Sequence, residues 1–407
     1  MTTSLFVPGR IEVLGKHTDY AGGSSLLVAV DRGFTFAAER TGDDDIVIVG
    51  DASGEEARWR IRRAAHDTDV VSLPPASGGR PAWARYADGV LHRLAADFGD
   101  AVCGSRLCFR STLPIAAGLS SSSAFVTGIF LGVDAACGIS GSASFRAAIP
   151  DRAALATWLS AAEMGGPVGT RGGSEDHTAI LCGEAGRVIR YGLAPVRYRG
   201  SAPVPAGWTF AVAASGVVAD KGGAVQLHYN RLSDAAHAAA RAWAAATGAN
   251  APSLGRALEY AGDAVALLDA VRAGAPALGL DPKPLVRRAQ HFLHECALVN
   301  AAFHALQRAD VAAFGEAVNQ SARIGAELLE NQVPETLALT ELARELGSPA
   351  ASQFGAGFGG SVWALVREPD ADAFLVAWRQ RYRAAFPERD AELFTTPAAA
   401  PAAVIIA

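Results

Sequence analysis

LPIAAGLSSSSAF, residues 113–125, is the stretch on which the fold turns. The run Arg106–Arg110 before it reads as a strand, Gly118 as a turn, and the apolar segment after the serines as a helix to about Cys137. A strand–turn–helix of this kind presents backbone N–H groups and the positive end of a helix dipole, which suit a phosphate. One serine satisfies a helix N-cap. The run Ser120, Ser121, Ser122 and Ser123 exceeds that need and supplies hydroxyls for a phosphate or Mg2+. Taken alone, the segment also reads as an ordinary capped turn.

Two further glycine-rich segments flank it. Residues 355–360 read GAGFGG and fit G-x-G-x-x-G to the letter. A dinucleotide site needs a helix directly after that loop, whereas Ser361–Val366 reads as a strand, so that site is rejected. A tight turn that brings backbone close to another loop or a ligand remains. Near the N-terminus, residues 8–23 read PGRIEVLGKHTDYAGG. This fails as a P-loop, because five residues separate Gly9 from Gly15 and His17 stands where Ser or Thr belongs. What is left is a cluster of Arg, Lys, His, Asp and Tyr between a strand and a glycine turn. Such a cluster suits a polyhydroxy ligand; a surface loop with Asx-turn chemistry is the plain alternative.

The bulk properties narrow the class. A chain of 407 residues has room for two domains or one large one. Half the residues are hydrophobic and 19% charged, with a net charge of −5, so the basic footprint of a nucleic-acid binder is missing. Arg60, Arg62 and Arg63 are interleaved with acids elsewhere in their neighbourhood and read as a solvated face. Five cysteines without a Cys-x-x-Cys pair argue against zinc and read as reduced, mostly buried thiols of a cytoplasmic protein. No basic-then-apolar leader and no apolar run of spanning length is read, so no membrane partner is expected.

Along the chain, Leu26–Val30 and Phe34–Ala38 read as strands separated by a turn at Asp31–Gly33, and Ile46–Val49 as another strand. Trp83, Tyr86, Ala87, Val90, Leu91 and Leu94 form one apolar helical stripe. Asp151 is placed to cap a helix over 152–164. A glycine-rich loop follows over 165–173, then strands near 187–191 and 209–214. From about residue 220 helical patterns dominate, over 223–247, 254–273, 283–307, 310–329, 334–346 and 370–385. Pro203 and Pro205 mark a boundary, with a more helical second half.

Together the three glycine-rich segments, in this order, resemble the three motifs of the GHMP kinases, specifically the galactokinases. PGRIEVLGKHTDYAGG is similar to the signature Gly-Arg-x-Asn-hydrophobic-Ile-Gly-Glu-His-Thr-Asp-Tyr-Asn-Gly-Gly. LPIAAGLSSSSAF resembles the phosphate loop and FGAGFGG the third motif. Residues 215–232, 287–295 and 331–335 agree as well. The resemblance implies an α+β, two-domain GHMP kinase fold with the active site in the cleft between domains. It places an N-terminal domain over 1–203 and a C-terminal domain over 204–390, with the tail at about 391–407 returning to the first. It implies an ATP-dependent sugar 1-kinase using Mg2+, with a small sugar as its partner.

Residue by residue, the resemblance makes Asp176 the catalytic carboxylate beside the anomeric hydroxyl. Arg10 holds Asp176 ionised and neutralises phosphoryl oxygens. Gly118, Leu119, Ser120, Ser121, Ser122, Ser123, Gly355 and Gly357 fall to ATP and its phosphates. Ser122 and Glu163 fall to Mg2+, which favours hard oxygens. Lys16, His17, Asp19, Gly173 and Tyr229 fall to the sugar. Two departures bear on which sugar. Lys16 replaces the signature glutamate, so it either donates to a hydroxyl, reads a carboxylate at C6 as in galacturonate, or pairs with a protein acid such as Glu175. The loop that usually ends Cys-Gly-x-Met-Asp-Gln reads GGSEDH over residues 172–177. Galactose or a close derivative is expected, with a uronic acid 1-kinase or a non-catalytic sugar and ATP sensor as alternatives.

Overall fold

The computed structural model describes residues 2–64, 67–75, 79–114, 117–165, 171–217 and 223–406, with backbone alone at Gly165, Gly223, Ala224, Val225 and Ile406. Its first half contains β1 (Thr3–Leu14), β2 (Ser24–Arg40), β3 (Asp45–Gly50), β4 (Glu56–Ala64), β5 (Asp67–Ser72), α1 (Ala84–Phe98), β6 (Ser105–Ser111), α2 (Ser121–Cys137), α3 (Ala143–Ala148), α4 (Arg152–Gly165), α5 (Glu175–Cys182), β7 (Arg187–Leu193) and β8 (Val196–Pro203). The second half contains β9 (Trp208–Ala214), α6 (Gly223–Thr247), α7 (Leu254–Ala261), α8 (Ala264–Gly274), α9 (Pro282–Gln307), α10 (Val311–Leu329), α11 (Pro334–Glu345), β10 (Ala351–Gln353), β11 (Ser361–Arg367), α12 (Ala371–Ala385), β12 (Glu392–Thr396) and β13 (Ala403–Ile406).

Two sheets organise these elements. A nine-stranded sheet runs β13-β1-β2-β6-β3-β4-β5, with β7 and β8 branching from β2, and a four-stranded sheet runs β10-β11-β9-β12. The long β2 makes the branch possible. Its second half pairs with β6 and its first half with β7. The C-terminal tail is divided between the sheets: β12 pairs with β9, while β13 pairs with β1 and Ala399 bridges to Ala29 of the first sheet.

Where a turn was expected at Asp31–Gly33, the strand runs straight through. Gly33 lies opposite Pro8, where the register of β1 shifts. A Cβ on Gly33 would lie 2.2 Å from the Val7 carbonyl oxygen, so this glycine serves a close approach of two strands and not a reversal of the chain. The helix expected over 254–273 is likewise two helices. Gly262 ends α7 in the left-handed region, and Asp263 caps α8 by accepting from the Ala266 N–H at 2.9 Å. The expectation of five reduced thiols is corrected too. Cys137, at the end of α2, is joined to Cys103, ahead of β6. Thirty-four residues separate them in sequence, so only packing of α2 on the sheet brings them together.

The helical stripe of α1 packs on the first sheet through Ala87, Val90, Leu91 and Leu94. Asp151 does cap α4, accepting from the Ala154 N–H at 2.8 Å. Arg60 and Arg62 lie on the exposed side of β4, and Arg63, also exposed, donates to the Val102 carbonyl at 2.6 Å. Among the described residues no helix is long and apolar enough to cross a membrane. What matters for the site is β1. Leu5, Val7, Ile11 and Val13 are buried on one side, yet Arg10 and Glu12 on the other are also buried, at 4% and 3% exposure. Charged groups in such a strand need partners or a ligand.

Candidate active site

A cavity of about 550 Å3 opens between the halves, lined from β1, the serine loop, α4, α5, α6 and the turn at 354–359. Ile115 and Ala116, in the first glycine-rich stretch, and residues 166–170, in the loop before α5, lie outside the described residues.

Arg10 and Asp176 meet at the centre of this wall. Arg10 Nε donates to Asp176 Oδ1 at 2.8 Å, and Nη2 lies 2.6 Å from the same oxygen. Nη1 donates to the Gly118 carbonyl at 2.6 Å, tying the pair to the serine loop. Burial opposes the guanidinium charge, but the carboxylates of Asp176, Glu175 and Glu12 outweigh it and raise the Arg10 pKa above its ordinary value. Asp176 sits in the first turn of α5, and its Oδ2 accepts from Ser123 Oγ at 3.3 Å.

The serine loop has the geometry of an anion cradle. Gly118 and Ser120 both have positive φ, Ser120 is the N-cap of the 17-residue α2, and its buried Oγ has no partner among the described residues. The Leu119 carbonyl accepts from the Arg10 N–H at 3.2 Å, which anchors the loop to β1. Ser121, Ser122 and Ser123 line the cavity. Ser123 Oγ also donates to Glu163 Oε2 at 2.8 Å, and His177 Nε2 lies 3.3 Å from that oxygen. Glu163 is buried, with Oε1 unpartnered among the described residues. The second glycine loop packs directly on the first: a side chain on Gly355 would meet the Gly118 carbonyl at 3.2 Å, and Ser361 Oγ donates to the Ala117 carbonyl. Gly357 lies against Asn331.

His17, Asp19, Gly173 and Tyr229 converge on the same cavity. Asp19 Oδ2 accepts from the Gly173 N–H at 2.8 Å, and a Cβ on Gly173 would fall 2.4 Å from that oxygen, so only glycine fits. Burial pushes the Asp19 carboxyl up to about 6, against the pull of the Tyr20 and Gly173 N–H groups. His17 is held in the left-handed region, its Nδ1 2.7 Å from Tyr20 Oη and its Nε2 3.1 Å from Asn331 Nδ2. Burial, helped by the Arg288 charge, lowers its pKa to about 3, so the ring is neutral. The Tyr229 ring lies 5.3 Å from His17, and burial together with Asp19 keeps its phenol protonated.

Lys16 is placed differently from what its position in the motif suggested. It does not line the cavity. Its side chain is buried against α9 and α10, where Nζ donates to Ser321 Oγ at 3.0 Å. Ser321 in turn donates to Glu295, whose Oε1 accepts the Gly15 and Lys16 N–H groups at 2.9 and 3.1 Å. The turn carrying His17 and Asp19 is therefore clamped by a carboxylate from the second half. Glu295 falls in the stretch 287–295, but nothing local to it names Lys16 as its neighbour.

Other contributors were not legible beforehand. Trp83 and Tyr86 read only as part of a core stripe, yet with Phe109 and Phe125 they form an aromatic wall of the cavity, and Trp83 Nε1 has no partner among the described residues. Glu12 and Glu175 also line the cavity, and Glu175 Oε2 accepts from Ser25 Oγ at 2.6 Å. Burial, then the charge of Glu12, holds the Glu175 carboxyl well above the carboxylate range.

Comparison with known proteins fits this geometry. Residues 85–184 match the GHMP kinase N-terminal domain and residues 302–384 the GHMP kinase C-terminal domain. The fold is that of solved GHMP kinases, including mevalonate kinase from Methanococcus jannaschii (TM-score 0.58, 14% identity, 98% of each chain covered). With a glycine-lined anion cradle facing a polar pocket, this is a GHMP-type kinase. Residues 4–40 match the galactokinase galactose-binding signature. The galactokinase of Mycobacterium bovis (strain BCG / Pasteur 1173P2) is 30% identical over 90% of this chain and 89% of its own, and that of Roseiflexus sp. (strain RS-1) is 28% identical over 92% and 86%. The Lactococcus lactis galactokinase crystallised with galactose superposes with a TM-score of 0.77 at 22% identity, over 99% of this chain and 95% of its own. The chain belongs to the galactokinase family and is a galactokinase-like, ATP-using sugar kinase.

Proposed function

We propose that the chain transfers the γ-phosphate of ATP to the anomeric C1 hydroxyl of galactose or a close neutral derivative. The observation that carries this reading is the Arg10–Asp176 pair, set between the serine cradle and the pocket of His17, Asp19 and Tyr229. Asp176 orients the anomeric hydroxyl and accepts its proton. Arg10 pairs with Asp176 and faces the charge that develops on the transferring group. The N–H groups at the start of α2 and the Ser120–Ser123 hydroxyls hold phosphate oxygens, and Gly355 and Gly357 close the cradle from the other half. The aromatic wall of Trp83 and Tyr86 takes the flat base. Mg2+ fits Glu163 and Ser122, because Glu163 Oε1 is a buried hard oxygen without a partner among the described residues. When bound, Mg2+ supplies charge neutralisation to the phosphates.

A neutral sugar is favoured over a uronic acid by the position of Lys16, which is occupied with Ser321 and does not face the cavity. The test is ATP consumption with Mg2+ across galactose, galacturonate, glucuronate, arabinose, fucose, N-acetylgalactosamine and mevalonate, with phosphorus NMR of the product. Turnover of galactose or a neutral relative with phosphate on C1 is expected. Preference for galacturonate, or bound ATP without turnover of any sugar, would overturn it.

A further inference from the structure

Resting on the sugar-kinase reading above, we propose that Arg288 is a positioning residue for the sugar: its guanidinium holds the turn that carries His17 and Asp19 and the helix that carries Tyr229 in the relative placement the sugar needs. The turn belongs to the first half of the molecule and α6 to the second, and Arg288 projects from α9 between them. Arg288 is 3% exposed and does not line the cavity, so it acts on a ligand only through the groups it holds. Its Nη2 donates to the His17 carbonyl and, at 3.4 Å, to Tyr20 Oη. Its Nε donates to the Leu232 carbonyl of α6 at 3.3 Å, and its Nη1 to His291 Nδ1 at 3.2 Å.

Burial, then the Arg288 charge, keeps the His291 ring neutral, so none of these four partners is an anion. The guanidinium is not spent on an ion pair. What it supplies is a rigid planar fork whose N–H groups point at two elements at once. His17 is where that matters. It is a non-glycine residue at φ 55°, a conformation that persists only where the surroundings dictate it. Arg288 takes its carbonyl, and Tyr20 Oη, which Arg288 also reaches, lies 2.7 Å from its Nδ1. Tyr20 is itself buried in the apolar core formed by α6 to α9, so the turn is seated in the second half as a unit. On the facing wall, Leu232 lies one helical turn beyond Tyr229, so the same guanidinium fixes where that phenol stands.

The experiment measures KM for the sugar, KM for ATP and the melting curve in wild type, Arg288→Lys and Tyr20→Phe. The sugar is galactose, or whichever member of the panel above the wild type turns over fastest. Lysine keeps the charge but has one nitrogen, which cannot serve His17, Tyr20 and Leu232 together. Arg288→Lys is expected to raise the sugar KM about 10- to 100-fold with the ATP KM within about two-fold of wild type. Tyr20→Phe removes only the oxygen shared by His17 and Arg288 and is expected to raise the sugar KM about 3- to 10-fold. An unchanged sugar KM in Arg288→Lys overturns the proposal. So does an equal rise in both KM values, which marks a scaffold residue; the sugar-kinase reading stands in either case. If the melting curve shows that Arg288→Lys does not fold, Tyr20→Phe decides, and an unchanged sugar KM there overturns the proposal. Wild-type silence on every sugar overturns both.

Discussion

The serine-loop side of the cavity, proposed for phosphate, and the His17–Asp19 side, proposed for sugar, are built by different means. On the serine-loop side, the lining groups are consecutive residues, Gly118 to Ser123 at the start of α2, with Arg10 and Ser361 anchoring the loop by bonds to its carbonyls. On the sugar side each side chain is held by a residue far away in sequence. Asp19 depends on Gly173, His17 on Asn331, and the turn between β1 and β2 on Glu295 and Ser321. A local cradle is robust and generic, which suits ATP. A pocket assembled from distant, buried polar groups can be retuned by single substitutions, because each unmatched group imposes a desolvation penalty.

The sharpest break in that comparison is at the junction of the two sides. Asp176→Asn is expected to lower kcat by about 100- to 10,000-fold while nucleotide binding, measured by titration, persists. Normal turnover would remove Asp176 from the chemistry.

Next in size is Asp19→Asn, a change confined to the sugar side. It should lower kcat/KM for the sugar by about 10- to 150-fold, with the KM for ATP unchanged. The pH dependence follows from the same residue. With its carboxyl pushed up to about 6, Asp19 accepts hydroxyl bonds fully only above that pH, so kcat/KM for the sugar should fall as pH drops through about 6. The stability effect has the opposite sign. Between about pH 4 and 6 the folded state holds a proton that the unfolded chain has released, so ionising Asp19 costs stability as pH rises through its folded value. Asp19→Asn should therefore raise the unfolding free energy at pH 8, read from urea denaturation, by up to about 1–3 kcal/mol. A variant that loses both activity and stability would mean Asp19 is a scaffold residue.

The smallest catalytic effect is expected at Lys16. Lys16→Glu buries a third carboxylate beside Glu295 and Glu12 and should cost about 3–5 kcal/mol of stability by urea denaturation. The order of preference among sugars should not change in the folded fraction. A switch in that order would place Lys16 against the substrate after all.

Much of the fold was readable from pattern. The stripe of α1, the Asp151 cap of α4 and the strand after GAGFGG all follow from local periodicity and turn chemistry. The misread turn at Asp31–Gly33 shows the limit. Gly33 answers to Pro8 on the next strand, and a glycine required by a neighbour looks in sequence like a glycine required by a turn. The Cys103–Cys137 link and the aromatic wall at Trp83 were hidden for the same reason, because both depend on what α1, α2 and β6 pack against.

At the site, the sequence by itself determined which residue types stand at which positions: an arginine and an aspartate at the proposed reacting centre, serines at a helix start, and His, Asp and Tyr at the proposed sugar pocket. Backbone-driven features of this kind are written in consecutive residues. Only the tertiary structure decided the direction of each side chain. Lys16 and Glu12 lie four residues apart, near the end of β1 and just beyond it, and no periodicity shows which one lines the cavity. The answer came from α9 and α10, whose Glu295 and Ser321 hold the Lys16 side chain and leave Glu12 in the cavity wall. A buried charge goes where its counter-charge is, and that partner is supplied by another part of the chain.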